Sequence, residues 1–221
     1  MSLSDQQSPW LFLRGLEPVS FCDWPGKIST VLFLGGCNLR CPTCHNRQLA
    51  FHPETLPLLP KNEVMRLLAT RRDWIDGLVI SGGEPTTVPF LEDLLAELAG
   101  QGLPVKLDTN GLAPERIERL LAANLVECFA IDVKGPWTKY PLLTGGACLP
   151  ERARHSLQAV FALAENHPDH FLFRLTEVPA LSSGDIEEVE ACLPDGFHLT
   201  RQEYRPVSDG QETSCPQAMQ Q

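Results

Sequence analysis

The sequence predicts an α/β fold in which six short strands alternate with longer helices. Runs rich in β-branched and apolar residues alternate with segments of helical periodicity, which is the pattern of a parallel sheet with crossover helices. Proline near the first turn marks the beginning of several of these helices. Six such units are too few for a closed eight-stranded barrel. We therefore expect a partial (β/α)6 barrel of the TIM type that stays open at one side.

The predicted elements follow one another in a regular order along the chain. The candidate strands are residues 29–35, 77–81, 105–108, 129–133, 171–177 and 198–204. The candidate helices are one that begins at Pro60 and those at residues 89–99, 114–123, 151–165 and 183–193. Leucine and isoleucine recur at helical spacing in 89–99 and 114–123, and we interpret these apolar stripes as core.

Composition and charge set the outer limits of the interpretation. The chain has 221 residues, of which 43% are apolar and 21% charged, and this balance is typical of one globular domain. We expect that domain to cover residues 1–221, with its core at about 12–206 and a polar tail at about 208–221. Because the N-terminus lacks a signal sequence and no apolar run could span a bilayer, we expect a cytoplasmic protein. The net charge of −10 argues against nucleic acid and anionic membranes as partners.

Three closely spaced cysteines, Cys37, Cys41 and Cys44, are the strongest chemical signal in the chain. Three thiolates on one loop suit an iron–sulfur cluster in which one iron has no protein ligand. Such an iron can bind a substrate or cofactor directly, by the logic that separates catalytic from structural metal sites. Gly35 and Gly36 permit a tight turn just before the first cysteine. The spacing therefore predicts an enzyme.

Other interpretations of the cysteines have less support. A structural zinc site needs four ligands, and His45 directly follows Cys44, so the two side chains tend to point apart. A disulfide framework is unnecessary in a chain of this size. The remaining cysteines are scattered singly: Cys22, Cys128, Cys148, Cys192 and Cys215. An electron-transfer or iron-storage module, with its cluster closed by Cys22 or Cys128, is the alternative from a different functional class.

Polar segments follow three of the predicted strands. They are residues 81–85 (Ser-Gly-Gly-Glu-Pro), 108–111 (Asp-Thr-Asn-Gly) and 132–135 (Asp-Val-Lys-Gly). The carboxyl ends of parallel strands meet at one rim, where barrel enzymes place their active sites. Each segment alone is compatible with an ordinary turn or a solvated ion pair. Together, beside the cysteine loop, they indicate a site at that rim.

With these motifs in this order, the chain resembles the radical S-adenosylmethionine (SAM) superfamily, whose signature is a CxxxCxxC loop followed by a Gly-Gly-Glu segment. Within it, the chain resembles the activating enzymes of glycyl-radical enzymes over residues 12–206. The motifs that carry this narrower resemblance are residues 23–26 (Asp-Trp-Pro-Gly), 36–41, 44–46, 108–111 and 132–134. The radical SAM core of such enzymes is a partial barrel, as expected above.

The resemblance implies a [4Fe–4S] cluster held by Cys37, Cys41 and Cys44, with SAM bound to the fourth iron. An electron from a flavodoxin-like or ferredoxin-like donor would cleave SAM to methionine and a 5′-deoxyadenosyl radical, which removes hydrogen from a glycine Cα of the partner. The cofactors carry this chemistry, so we assign no general acid or base. Asp23 is implied as the residue that meets the partner's glycine loop.

The resemblance also implies a set of SAM contacts. They are Gly82, Gly83, Glu84, Asp108, Thr109, Asn110, Asp132, Lys134 and Arg174. Residues 82–84 would hold the methionine amino group, while Asp108, Thr109 and Asp132 would surround the SAM carboxylate and a monovalent cation. Thr43 and Glu177 depart from the family's pattern, Thr43 at a position where an aromatic residue usually lies near the adenine.

The expected partner is anaerobic ribonucleoside-triphosphate reductase. No second group of cysteines lies between Cys44 and Cys128, so the insert of the larger activating enzymes is missing, and residues 202–206 look similar to those of the reductase-activating group. The alternative functions for the chain are those of a pyruvate formate-lyase activating enzyme and of a radical SAM enzyme of the 7-carboxy-7-deazaguanine synthase type.

Overall fold

The computed structural model describes residues 8–206 and builds them around one seven-stranded sheet. The strands are β1 (Leu13–Ser20), β2 (Ser29–Leu34), β3 (Gly77–Gly82), β4 (Val105–Thr109), β5 (Cys128–Asp132), β6 (Phe171–Glu177) and β7 (Leu199–Glu203). They lie side by side in the order of the sequence. Strands β2 to β7 are parallel, and β1 pairs antiparallel with β2. Strands β1 and β7 are the two edges, so the predicted partial barrel is confirmed.

Seven helices connect or flank the strands in the described part of the chain. They are α1 (Arg47–Phe51), α2 (Lys61–Arg71), α3 (Leu91–Ala99), α4 (Pro114–Ala122), α5 (Tyr140–Leu143), α6 (Pro150–Asn166) and α7 (Ser183–Cys192). Proline stands in the first turn of α4 and α6, where its missing N–H costs nothing. Ser182 and Asp185 form a capping box that fixes the beginning of α7.

The structure contains three elements that the sequence did not predict: β1, α1 and α5. Gly15 and Pro18 interrupt β1 and weaken its strand pattern, as expected for a strand at the edge of a sheet. Helices α1 and α5 have five and four residues, which is too short for a helical period to be recognised. The predicted polar tail lies outside the described residues, and the extent of the domain stays a prediction.

The two faces of the sheet bury different side chains, because successive residues of a strand point to opposite sides. Leu32, Ile80 and Phe173 lie on the face that packs against the helices and belong to the main core. Val31 and Val79 lie on the opposite, inner face, together with Trp24 and Cys128. The inner face continues toward the carboxyl ends of the strands, where its side chains become polar.

Trp24 fills the amino-terminal end of the inner face. Its side chain is 5% exposed and contacts the backbone at the beginning of β3, where a Cβ at Gly77 would lie 2.7 Å from the indole ring. Lys27 lies over the same ring at 4.1 Å. The turn between β1 and β2 thus closes this end of the barrel with one large side chain.

No helix among residues 8–206 is long and apolar enough to cross a membrane.

We expect Trp24→Ala to lower the free energy of unfolding by about 3 to 5 kcal/mol, because it removes a large buried side chain at a site that cannot collapse. Trp74→Ala is the matched control, since Trp74 is 79% exposed and its loss should change the free energy little. Urea denaturation measures both. Equal effects of the two substitutions would contradict the packing described for Trp24.

Candidate functional site

A cavity of about 250 Å³ lies at the carboxyl ends of the parallel strands. The cysteine loop after β2 forms one wall, and the polar segments that follow β3, β4 and β5 form the others. The residues predicted for the site that line this pocket are Cys37, Cys41, Cys44, Gly82, Gly83, Glu84, Asp108, Thr109, Asn110, Asp132, Lys134 and Arg174. The sheet therefore brings together residues that are up to 137 positions apart in the sequence.

The cysteine loop is held by hydrogen bonds along its length. Gly36 N donates to Leu49 O at 2.9 Å, and Arg40 N donates to Thr144 O at 3.1 Å. Within the loop, the amide of Leu39 donates to Cys37 Sγ at 3.4 Å. Burial raises the pKa of the three cysteine thiols, to about 11 for Cys37. Binding of iron to these sulfurs therefore requires the release of protons.

The backbone of Gly82 and Gly83 packs directly against the backbone at the beginning of the cysteine loop. Gly83 N donates to Leu34 O and Glu84 N to Gly36 O, each at 2.8 Å. A Cβ at Gly83 would overlap the carbonyl oxygen of Gly36, and one at Gly82 would overlap that of Leu34. Gly82 also has a φ of +122°, which L side chains rarely adopt. Glycine is required at both positions by close approach.

The Glu84 side chain joins the segment after β3 to the segment after β4. Its Oε1 accepts hydrogen bonds from Thr86 N at 3.1 Å, Thr86 Oγ1 at 2.6 Å and Thr109 Oγ1 at 2.6 Å, and its Oε2 accepts from Asn110 N at 2.8 Å. Burial raises the pKa of Glu84, and these four donors act in the opposite direction. Two donors are hydroxyl groups that can rotate, so the network accommodates either protonation state.

The floor of the pocket is a chain of buried and half-buried charged side chains. Arg174 lies between two carboxylates, with Nη1 3.4 Å from Asp108 Oδ2 and Nη2 2.9 Å from Asp132 Oδ1. Lys134 Nζ is 3.4 Å from Asp132 Oδ2. Burial by itself would raise the pKa of Asp132, but Arg174 and Lys134 hold that pKa below its usual value. The same carboxylate raises the pKa of Lys134, although burial opposes this.

Lys106 is a buried charged residue next to the site that the sequence analysis missed. It is 1% exposed, projects from β4 onto the inner face, and forms an ion pair with Asp108 Oδ1. Ser81 Oγ donates to the other oxygen of Asp108 at 3.0 Å. Residues 106 and 108 share one face of β4, but a charged face of a strand is usually solvent-facing, and only the fold shows that this face is the buried inner one.

The comparisons with known proteins agree with this geometry. The sequence model of the Radical SAM superfamily matches residues 31–173. The chain belongs to the radical SAM superfamily.

Two relatives place the chain among the activating enzymes within that superfamily. A candidate glycyl-radical enzyme activating enzyme of Methanocaldococcus jannaschii is 33% identical over 201 residues, which cover 88% of this chain and 80% of that protein. A pyruvate formate-lyase-activating enzyme of Staphylococcus aureus is 35% identical over 103 residues, or 44% of this chain and 41% of that enzyme. The chain thus spans less than half of the second relative.

Solved structures confirm the fold. Streptococcus suis SuiB bound to S-adenosylmethionine superposes with a TM-score of 0.58 at 19% identity, over 79% of this chain and 39% of SuiB. A structure of TYW1 with a lysine-pyruvate adduct gives a TM-score of 0.50 at 15% identity, over 81% of this chain and 65% of TYW1. At these identities the likeness concerns the partial barrel alone.

Radical SAM enzymes use a [4Fe–4S] cluster and SAM, and the residues of the pocket fit both groups. Among the described lining residues there are three cysteines and no fourth, as expected for a cluster with one open iron. The amide at Cys37 Sγ is a donor of the kind that tunes such clusters. Cys22 is exposed in the β1–β2 turn and Cys128 lies on the inner face beside Trp24, so neither reaches the pocket to close the cluster.

The expected monovalent cation stays a prediction. The place between the carboxylates of Asp108 and Asp132 is taken by the guanidinium of Arg174. Across residues 8–206, no group of three or more His, Cys, Asp or Glu side chains is arranged to hold a single metal ion. The repulsion between the carboxylates is therefore offset by side chains of the chain itself.

Asp23 lies apart from the other predicted site residues. In the β1–β2 pairing, Ser20 is opposite Ser29, at the beginning of β2, whereas Cys37 follows the end of that strand. Asp23 accepts a hydrogen bond from the Ser20 hydroxyl and does not line the described pocket. The contact of Asp23 with a partner's glycine loop stays a prediction. That contact would lie at the opposite end of the sheet from the pocket.

We expect Gly83→Ala to reduce the iron content of the reconstituted protein severely, because the added methyl group would push the cysteine loop away from β3. Gly184→Ala is the control, since a Cβ at that position has only the Ser182 hydroxyl within 4 Å, at 3.9 Å. Iron and sulfide analysis after anaerobic reconstitution measures the effect. A Gly83→Ala protein with a full cluster would contradict the backbone packing.

We expect Lys106→Met to lower the free energy of unfolding by about 3 kcal/mol, because it leaves Asp108 buried with a weaker set of partners. Adding Asp108→Asn should recover much of this loss, giving a coupling energy of roughly 2 kcal/mol in a double-mutant cycle. The exposed pair of Arg201 and Glu177 is the control, with an expected coupling below about 1 kcal/mol. Equal coupling in the two pairs would show that the Lys106 pair is not buried.

Proposed function

We propose that this chain is an activating enzyme that generates a glycyl radical on a partner enzyme. The observation that carries the proposal is the convergence of three cysteines and nine predicted SAM contacts on one pocket at the carboxyl ends of the strands. The match to a candidate activating enzyme over 88% of the chain supports the same reaction class.

When bound, the cluster and SAM supply the chemistry, the one-electron cleavage of SAM that yields a 5′-deoxyadenosyl radical able to take hydrogen from glycine. Cys37, Cys41 and Cys44 are the residues that hold the cluster. Gly82 and Gly83 line the pocket beside the cysteine loop, where backbone carbonyls would bind the amino group of SAM. In this proposal the chain binds and orients, and the cofactors react.

The charges of the pocket favour an anionic group such as the carboxylate of SAM. Three buried or half-buried cations, Lys106, Lys134 and Arg174, face two carboxylates, Asp108 and Asp132. Within this group one positive charge is left over, and a buried charge is costly until it is paired. Glu84, the other carboxylate that lines the pocket, is bound by its own four hydrogen-bond donors. Of these cations, Lys134 and Arg174 line the cavity itself.

The hydrogen bonds of Glu84 favour a role that differs from the expected one, which stays a prediction. The sequence analysis placed it on the methionine amino group, but its two oxygens already accept four hydrogen bonds from Thr86, Thr109 and Asn110. We therefore propose that Glu84 holds the segments after β3 and β4 in place around SAM, and that backbone carbonyls bind the amino group of SAM.

Acid–base catalysis by a histidine has no support in the pocket. His45 is the histidine that lines the pocket in the described residues, and its Nε2 is 2.7 Å from the carbonyl oxygen of Arg205. The ring also stacks on Tyr204, with centroids 5.5 Å apart. Both contacts keep the imidazole at the rim.

For the partner we propose anaerobic ribonucleoside-triphosphate reductase, on the similarity of residues 202–206 to that group of activating enzymes. Pyruvate formate-lyase is the second candidate, and the match of 103 residues to the Staphylococcus aureus enzyme favours it. The chemistry at the pocket is the same for both. The 7-carboxy-7-deazaguanine synthase type has no counterpart among the relatives described above.

The test is electron paramagnetic resonance of each partner after anaerobic incubation with the reduced, reconstituted protein and SAM. We expect a glycyl radical signal on the reductase, with 5′-deoxyadenosine formed alongside, and loss of both in Cys41→Ala. Cys22→Ala is the matched control and should keep both, because Cys22 lies outside the pocket. Equal loss in the two variants would favour the closed-cluster module, and a signal on pyruvate formate-lyase alone would assign the second partner.

A further inference from the structure

The outer side of the cysteine loop is positively charged in an otherwise acidic chain. Residues 24–53 contain none of the 28 Asp and Glu residues, although the formal net charge of the chain is −10. Arg40 and Arg47 in this stretch are exposed. Exposed Arg205 lies at the same loop, because its carbonyl oxygen is 2.7 Å from Nε2 of His45. The loop is therefore a local cationic region.

Arg40 and Arg47 are held in place. Arg40 Nη1 donates to the carbonyl oxygen of Cys37 at 2.7 Å, and Arg47 Nη1 donates to that of Pro42 at 3.1 Å. Both guanidinium groups also lie over the ring of Phe51, at 5.1 and 5.8 Å from its centroid. A guanidinium has five N–H donors, so each arginine keeps donors for the carboxylates of another protein. The pair is preorganised for an acidic surface.

The acidic side chains next to this region do not cancel its charge. Glu177 on β6 is paired with Arg201. Glu54, beyond the end of the stretch, and Glu203, on the strand that leads to Arg205, are exposed carboxylates. The three arginines therefore outnumber these two carboxylates.

We propose that Arg40, Arg47 and Arg205 form a surface, here called the arginine surface, on which an acidic electron-carrier protein docks. The proposal rests on the proposed function, because that reaction needs an electron at the cysteine loop. Arg40 contacts the carbonyl of Cys37 directly, so a protein docked there is one side chain away from a cluster ligand. Complementary charge raises association rates by about 10-fold to 1,000-fold.

The step on this surface is the transfer of one electron. With a flavoprotein as donor, the anionic flavin hydroquinone is oxidised to the neutral semiquinone, and the cluster is reduced by the same electron. No proton or leaving group moves. The chain contributes the docking site and the short path, while the donor contributes the electron.

The experiment compares two reductants on the same reconstituted protein. Reduced flavodoxin is the acidic donor, and reduced methyl viologen is a small cation that the arginines cannot attract. We expect the double variant Arg40→Gln, Arg47→Gln to form 5′-deoxyadenosine about tenfold more slowly per cluster with flavodoxin at low salt, and at an unchanged rate with methyl viologen. The difference should shrink as salt is added.

Calorimetric titration with oxidised flavodoxin gives a readout that does not depend on turnover, and the same variant should bind about tenfold more weakly. Arg40→Lys with Arg47→Lys keeps the charges and should restore most of the affinity. Arg66→Gln, which removes an exposed charge from α2, is the control and should change neither rate.

Equal slowing with both reductants would overturn the proposal, since the arginines would then support the cysteine loop rather than a partner. An unchanged flavodoxin rate and affinity would overturn it as well. If the wild-type protein formed no 5′-deoxyadenosine with either reductant while still binding flavodoxin, the proposed function would fail and the arginine surface would stand as a docking site.

Discussion

The pocket depends on one contact, the packing of backbone on backbone between Gly82–Gly83 and the beginning of the cysteine loop. Two hydrogen bonds continue the pairing of β2 and β3 beyond the ends of the strands. This is possible only where neither residue has a side chain. Glu84 then holds the end of β4 against this contact, because its carboxylate accepts hydrogen bonds from Thr109 and Asn110. The cysteines and the polar segments are therefore positioned as one unit, and a shift of one segment moves the others.

Beneath this unit, the buried charged side chains hold one another in defined positions, and their removal from water lowers the stability of the fold. Transfer of an ion from water to a protein interior costs several kcal/mol even when the ion is paired, so Lys106, Asp108 and Arg174 are not explained as a stabilising device. What they provide is a defined place for Arg174 and a surplus of positive charge. Because the pKa of Asp132 is lowered, its carboxylate stays ionised as the pH falls to the usual aspartate pKa. Its ion pairs are lost only when the pH falls through the lowered pKa, so they persist in mild acid.

The sequence predicted what depends on local pattern and missed what depends on register. The parallel strands and the lining residues were predictable because the cysteine spacing and the polar segments each lie within a few residues. Lys106 was missed because its partner Asp108 lies on the same face of β4, and the sequence does not show that neighbouring strands bury this face. The four hydrogen bonds of Glu84 and the place of Arg174 between two carboxylates involve residues up to 66 positions apart, so the sequence could not show them, and the expected roles of Glu84 and of a cation stay predictions.

The position of Asp23 restricts how a glycine loop could reach this enzyme. The six residues of β2 separate the turn of Asp23 from the cysteine loop, a distance of about 20 Å at roughly 3.3 Å per residue. Trp24 fills the inner face at the Asp23 end, so a partner segment cannot pass through the barrel there. A segment that touched Asp23 and still placed its glycine at the pocket would have to lie extended along the open side, beside the edge strands β1 and β7, over at least six residues. A glycine loop too short for that can contact the pocket or Asp23, but not both.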